Sequence, residues 1–139
     1  MKIKAAVLYE RNVPLIVEEI DLDPPKESEV LVKLAGSGIC HSDLREITGA
    51  WKDLFVSPPC VLGHEGAGTV MEVGHAVSSV NPGDPVVLSW VPNCGDCYYC
   101  IIGLSHLCDN PFLNNSRLHK DNLTINAMLG VSSFAEYAV

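Results

Sequence analysis

The sequence predicts a mainly β chain, a partly open barrel with short helices and a lobe built on four cysteines. Two observations carry that reading. Short runs of β-branched or alternating apolar residues recur between turns rich in Gly and Pro, which favours a barrel over a parallel sheet. Four of the six cysteines crowd into the fifteen residues from Cys94 to Cys108.

The elements follow in chain order. Lys2 to Tyr9, Leu15 to Ile20 and Val30 to Ala35 read as three opening strands, separated by the Arg11-Asn12 turn and the Asp23-Pro24-Pro25 break. Ser42 to Ile47 reads as a helix of one or two turns. Ser42 or Asp43 offers the N-cap, Glu46 follows three residues after Asp43 as a capping-box variant, and the helix stops near Gly49. Gly66 to Val73 and Val86 to Trp90 read as strands joined through the turn residues Val80-Asn81-Pro82-Gly83-Asp84-Pro85. Asp109 to Asn126 carries five Asn and little periodicity, so it is expected to be loop. Ser133 to Val139 alternates like a strand and runs straight into the last residue, as though the chain were cut there.

Composition narrows the function classes. The 139 residues are 47% hydrophobic, enough for one domain with a core and too apolar for intrinsic disorder. Nine basic against seventeen acidic residues leave a net charge of −8, which disfavours nucleic acid and anionic lipid as partners. The opening Met1 to Glu10 has too short an apolar run and too many charges for a signal peptide, and no later stretch is long enough to span a bilayer. The expectation is a cytoplasmic protein that neither enters a membrane nor binds nucleic acid.

Cys94, Cys97, Cys100 and Cys108 are spaced C-x2-C-x2-C-x7-C. A tetrahedral zinc takes four soft donors about 2.3 Å from one point, and Gly95 and Gly103 permit the tight backbone this requires. Redox CxxC pairs or unpaired core cysteines are the alternatives, and the spacing of the tetrad favours metal. Four thiolates and one Zn²⁺ would take the chain from −8 to about −10, so binding should release protons. A second constellation joins Gly38-Ile39-Cys40-His41-Ser42-Asp43 to Gly63-His64-Glu65-Gly66-Ala67-Gly68. Cys40 and His64 are both zinc donors, although for the pair alone a buried cysteine and a satisfied core histidine are the commoner case.

Together these residues resemble the zinc-dependent medium-chain alcohol dehydrogenases. The resemblance runs from the opening strands through G-x-C-H-S-D, G-H-E-G-A-G-T-V, the N-P-G-D turn, the four-cysteine lobe and S-F-A-E-Y. It implies a GroES-like catalytic domain over residues 1–139, incomplete, with the zinc lobe at about 91–112 and the nucleotide-binding Rossmann domain missing from this chain. It implies Cys40 and His64 as catalytic-zinc ligands and Cys94, Cys97, Cys100 and Cys108 as structural-zinc ligands. Asp43 falls at a carboxylate hydrogen-bonded to the ligand histidine, and Glu65 at a carboxylate near the metal. Ser42 falls at the hydroxyl of a proton relay, although it suits an N-cap equally. His41 falls where relatives meet the cofactor pyrophosphate, or is a surface histidine.

The implied chemistry is oxidation of a primary alcohol to an aldehyde with NAD or NADP as hydride acceptor in a longer parent, itself a homo-oligomer; the piece alone is expected to be inactive. Trp51 and Trp90 match positions lining the alcohol channel, with core filling as the alternative for each. Arg45 replaces the histidine that ends the relay in many relatives, and an arginine is no base near neutral pH. The apparent G-x-G-x-x-G beginning at Gly66 fails at Met71. Cys60, in the apolar Pro58-Pro59-Cys60-Val61-Leu62, is expected to be a small buried hydrophobe, and His75, His106 and His119 to be surface or loop residues. The competing reading is a stand-alone zinc-binding GroES-like module used for protein interaction.

Overall fold

In the computed structural model of the chain, residues 1–51, 54–91, 93–109 and 116–139 are described. Strand β1 (Lys2–Leu8) alternates Lys2 and Lys4 outward with Ile3 and Ala5 inward, the pleat that its sequence dictates. It pairs antiparallel with β2 (Ile16–Leu22), Ile3 opposite Ile20. The ring continues through β7 (Leu118–Lys120) and β8 (Leu123–Ala127), and β4 (Cys60–Val61) closes it by pairing antiparallel with β1 and parallel with β8. Ile3, Ala5, Val7, Ile20, Leu118 and Ile125 fill the barrel.

The other sheet has the order β6-β5-β3-β9, from Pro85–Val87, Gly66–Val73, Val30–Ser37 and Tyr137–Ala138. Residues 134–136 stitch the two sheets together. Ala6 donates to the Phe134 carbonyl at 2.8 Å, Glu136 to Lys4 at 2.9 Å, and Leu34 to Glu136 at 2.9 Å. The mainly β architecture expected from the sequence is therefore what forms, a closed five-strand barrel beside a four-stranded sheet, with helices α1 (His41–Ile47) and α2 (Tyr98–Ile101).

Several local expectations are corrected. Much of the segment expected as loop over Asp109 to Asn126 forms β7 and the start of β8. Each places one apolar residue in the barrel, Leu118 and Ile125, too few to make a visible alternation; residues 110–115 lie outside the described residues. Strand β6 covers Pro85–Val87 instead of Val86 to Trp90, and in Ser133 to Val139 only Tyr137–Ala138 forms a strand. Strand β4 was not foreseen, because two residues carry no period.

The helix α1 is where expected, but its cap is not Ser42 or Asp43. Cys40 is the N-cap residue, and the Asp43 carboxylate reaches back to accept the Cys40 N–H at 2.9 Å. Glu46 instead turns inward, accepting the Phe55 N–H at 3.3 Å with its other oxygen 3.6 Å from Arg11 Nη2. Among the described residues no helix is long and apolar enough to cross a membrane.

Candidate functional site

The four-cysteine lobe forms around α2. Cys97 caps that helix and Cys100 lies on it. The helix ends in a Schellman motif, with Gly103 donating to the Cys100 carbonyl at 3.1 Å and Leu104 to Tyr99 at 2.8 Å. Gly103 takes φ +83°, the left-handed conformation that reverses the chain toward Cys108. The Cys94 N–H donates to Cys108 Sγ at 3.3 Å and the Cys97 N–H to Cys94 Sγ at 3.4 Å. All six cysteines of the chain are free of disulfides.

Sulfur spacing tests the metal directly. Cys94–Cys108, Cys97–Cys108 and Cys94–Cys100 lie 3.5, 3.9 and 4.0 Å apart. A tetrahedron whose centre is about 2.3 Å from each sulfur has edges of about 3.8 Å. The four thiols thus outline a zinc-sized tetrahedron, far too open for disulfides. Without a metal the cluster shares its charge unevenly. Backbone N–H groups of Asp109 and Cys100 lower the Cys97 thiol to about 6, while a hydrogen bond with Asp96 pushes Cys94 up to about 12.

The second cluster is assembled by the β3–β5 ladder. Cys40 follows the end of β3, and His64 and Glu65 precede the start of β5, where Ser37 stands opposite Gly66. Residues 24 apart in sequence are thereby brought together, with the donor atoms of Cys40, His64 and Glu65 all within 4.8 Å of one another. His64 is buried, with Nε2 3.4 Å from Ser42 Oγ and 3.8 Å from Glu65 Oε1. Its Nδ1 is buried without a hydrogen bond, 3.6 Å from Asp43 Oδ1, an ion-pair distance too long for a hydrogen bond.

Asp43, 1% exposed, ties the two loops together. Its Oδ2 accepts the Cys40 N–H at 2.9 Å and its Oδ1 the Gly63 N–H at 3.0 Å. Sequence reasoning missed Gly63 as the second donor. Its φ is +88°, and a Cβ there would lie 2.5 Å from the Phe134 ring. The signal was its position immediately before His64. A thiol, an imidazole and a carboxylate converging on one point, with a carboxylate behind the imidazole, is a donor set that suits a catalytic zinc with an open position.

The remaining residues singled out in the sequence fall outside this cluster of donors. His41, the first residue of α1, is exposed. Trp51 is half-buried, edge-on to Phe55 at 5.2 Å, with the Arg45 guanidinium 4.8 Å from its ring centroid. Trp90 is 52% exposed. Cys60 is fully buried in a cluster with Leu8, Val56, Leu62 and Met128, and burial pushes its thiol up to about 12, which suits a core role. His75 and His106 are exposed; His119, expected on the surface or in a loop, is half-buried on β7.

Comparison with known proteins now decides the family. Residues 26–139 match the family described as the alcohol dehydrogenase GroES-like domain. The chain belongs to that family. It is 44% identical to the NDMA-dependent alcohol dehydrogenase of Amycolatopsis methanolica, over 146 aligned residues that take in 99% of this chain and 38% of that protein. Among solved structures it resembles an alcohol dehydrogenase zinc-binding domain protein from Burkholderia ambifaria, with 32% identity, a TM-score of 0.87, and coverage of 99% of this chain and 39% of that one. It also resembles the benzyl alcohol dehydrogenase of Acinetobacter calcoaceticus, with 34% identity, a TM-score of 0.82, and coverage of 99% and 38%. The chain therefore spans about two-fifths of the length of these alcohol dehydrogenases. Within this GroES-like domain, the zinc-binding neighbours and the four-cysteine cluster together support zinc as the bound metal.

Proposed function

We propose that residues 1–139 are the catalytic-domain portion of a zinc-dependent alcohol dehydrogenase that oxidises primary alcohols to aldehydes with NAD or NADP. The observation that carries this reading is the convergence of Cys40, His64 and Glu65 on one point beside Asp43 and Ser42. When bound, zinc supplies Lewis acidity to the alcohol oxygen and the nicotinamide supplies the hydride acceptor that redox-inert zinc cannot be.

The side chains divide the remaining work. Cys40 and His64 hold the metal, and Asp43 fixes the loops that carry them. Glu65 stands beside them as the near carboxylate. Ser42 Oγ, 3.4 Å from His64 Nε2, takes the hydroxyl proton of the substrate. Arg45 cannot receive it onward, because its guanidinium stays charged, so the proton leaves Ser42 to water. His41 presents an exposed side chain to the cofactor phosphates. Trp51 and Trp90 form the walls of a flat slot for ethanol-like or benzyl-like alcohols, and the likeness to a benzyl alcohol dehydrogenase supports the second kind. The nucleotide-binding domain and the family's further catalytic-zinc ligand belong, on this reading, to a longer, homo-oligomeric parent in the cytoplasm.

The test is an assay of that parent against a panel of primary and secondary alcohols with both cofactors. The expected result is alcohol-dependent cofactor reduction that Cys40→Ser abolishes, with none from residues 1–139 alone. Turnover by residues 1–139 alone would overturn the domain assignment, and a parent inert toward every alcohol would overturn the function.

A further inference from the structure

Gly38 lies where the two metal-bearing segments meet. It follows β3, two residues before Cys40, and its N–H donates to the Glu65 carbonyl at 2.9 Å. Its backbone does not call for glycine, since its φ lies outside the left-handed region that six other glycines of the described chain occupy. What calls for glycine is the Glu65 side chain. A Cβ at residue 38 would stand 2.1 Å from Glu65 Oε2, 3.1 Å from its Cβ and 3.2 Å from its carboxyl carbon. Gly36, two residues earlier on β3, has nothing within 4 Å of the same virtual atom. The missing side chain at 38 is thus a notch that the Glu65 carboxylate fills.

That notch matters because Glu65 is otherwise loosely held. Its side chain is 49% exposed, so open solvent offers it other rotamers. Seated in the notch, it keeps Oε1 3.8 Å from His64 Nε2 and stays within the group formed with Cys40. We infer that Gly38 is a positioning residue that keeps the Glu65 carboxylate at the Cys40–His64 metal centre, an inference that rests on the metal-centre reading proposed above. A methyl group at 38 collides mainly with the far end of a flexible side chain, which can swing away cheaply. The substitution should therefore move the carboxylate while leaving the fold intact.

The experiment compares Gly38→Ala with Gly36→Ala in the 139-residue chain, its four-cysteine lobe first filled with zinc. Co²⁺ is then titrated into the mixed-donor centre and followed by its visible absorption. The expected result is a loss of about tenfold or more in Co²⁺ affinity for Gly38→Ala and none for Gly36→Ala. Both should melt within about 2 °C of the unsubstituted chain. A crystal structure of Gly38→Ala should show the Glu65 carboxylate displaced from Cys40 and His64. Unchanged Co²⁺ affinity, an equal loss in both variants, or a carboxylate still in place would overturn the inference. If the unsubstituted chain takes no Co²⁺ there, the position of the Glu65 carboxylate in the Gly38→Ala crystal alone decides what Gly38 does, and the same titration of the longer parent decides the metal-centre reading.

Discussion

Replacing Asp43 by Asn should loosen the metal centre and the fold together, by an amount the geometry sets. The carboxylate accepts two backbone N–H groups, from Cys40 at 2.9 Å and Gly63 at 3.0 Å, in a site 1% exposed. An asparagine keeps one acceptor oxygen and turns an NH2 toward the other donor, so one charge-assisted bond is lost. Each such bond contributes about 1.5–3 kcal/mol, which puts the expected loss at about 2 kcal/mol. For a domain of this size that is a fall of about 8 °C in Tm. Asp43→Ala orphans both amides and should lose about twice as much. Because Asp43 accepts the N–H groups of Cys40 and Gly63 on the two ligand loops, metal affinity of the mixed-donor centre should drop about 10- to 100-fold in Asp43→Asn, while the four-cysteine lobe keeps its zinc. Thermal melts followed by circular dichroism and a Co²⁺ titration read the two effects. If Asp43→Asn stays within about 0.5 kcal/mol of the original chain and binds Co²⁺ equally well, Asp43 is not the tie between the loops.

The lobe should bind zinc with a steep pH dependence. Cys94 and Cys100 both sit above the usual thiol range, Cys94 because of Asp96 and Cys100 because of burial, so both carry protons near neutrality and must lose them to the metal. Affinity should therefore fall at least about 100-fold per pH unit on going from pH 8 to 7, and more steeply below about 6, where Cys97 also takes up its proton. A slope near zero in competition titrations against a chelator would contradict this. Trp90, 52% exposed, should tolerate Trp90→Ala with little loss of stability; in the full-length enzyme the change should raise kcat/KM for bulky alcohols relative to ethanol. A fixed ratio of the two would remove Trp90 from the pocket.

What could be read in advance was whatever is local in sequence. The cysteine tetrad spans fifteen residues and its two glycines sit where the backbone turns, so the lobe was visible as spacing alone. The opening strands showed themselves through side-chain alternation, as in Ile3 and Ala5. What was hidden is non-local. Cys40 and His64 meet because β3 and β5 pair in a register that no short window reveals, so the sequence offered only a resemblance for their partnership. Strands β7 and β8 were hidden because each fills the barrel with one apolar residue and keeps a polar remainder. The cap of α1 was misread for a related reason. Asp43 is a capping residue acting backwards onto Cys40, a role its sequence shares with an ordinary Ser or Asp N-cap two or three positions later.

On the proposed reading this chain carries two metal centres of different character, a closed sulfur tetrahedron and an open mixed-donor site. The most direct measurement is a zinc-edge anomalous difference map from crystals of residues 1–139 grown with zinc. The expected result is a full-occupancy peak equidistant from Cys94, Cys97, Cys100 and Cys108, about 2.3 Å from each sulfur, and a weaker peak bounded by Cys40, His64 and Glu65. A lobe of ordered sulfurs with no peak, or zinc bound elsewhere while Cys40 and His64 stay apart, would contradict it.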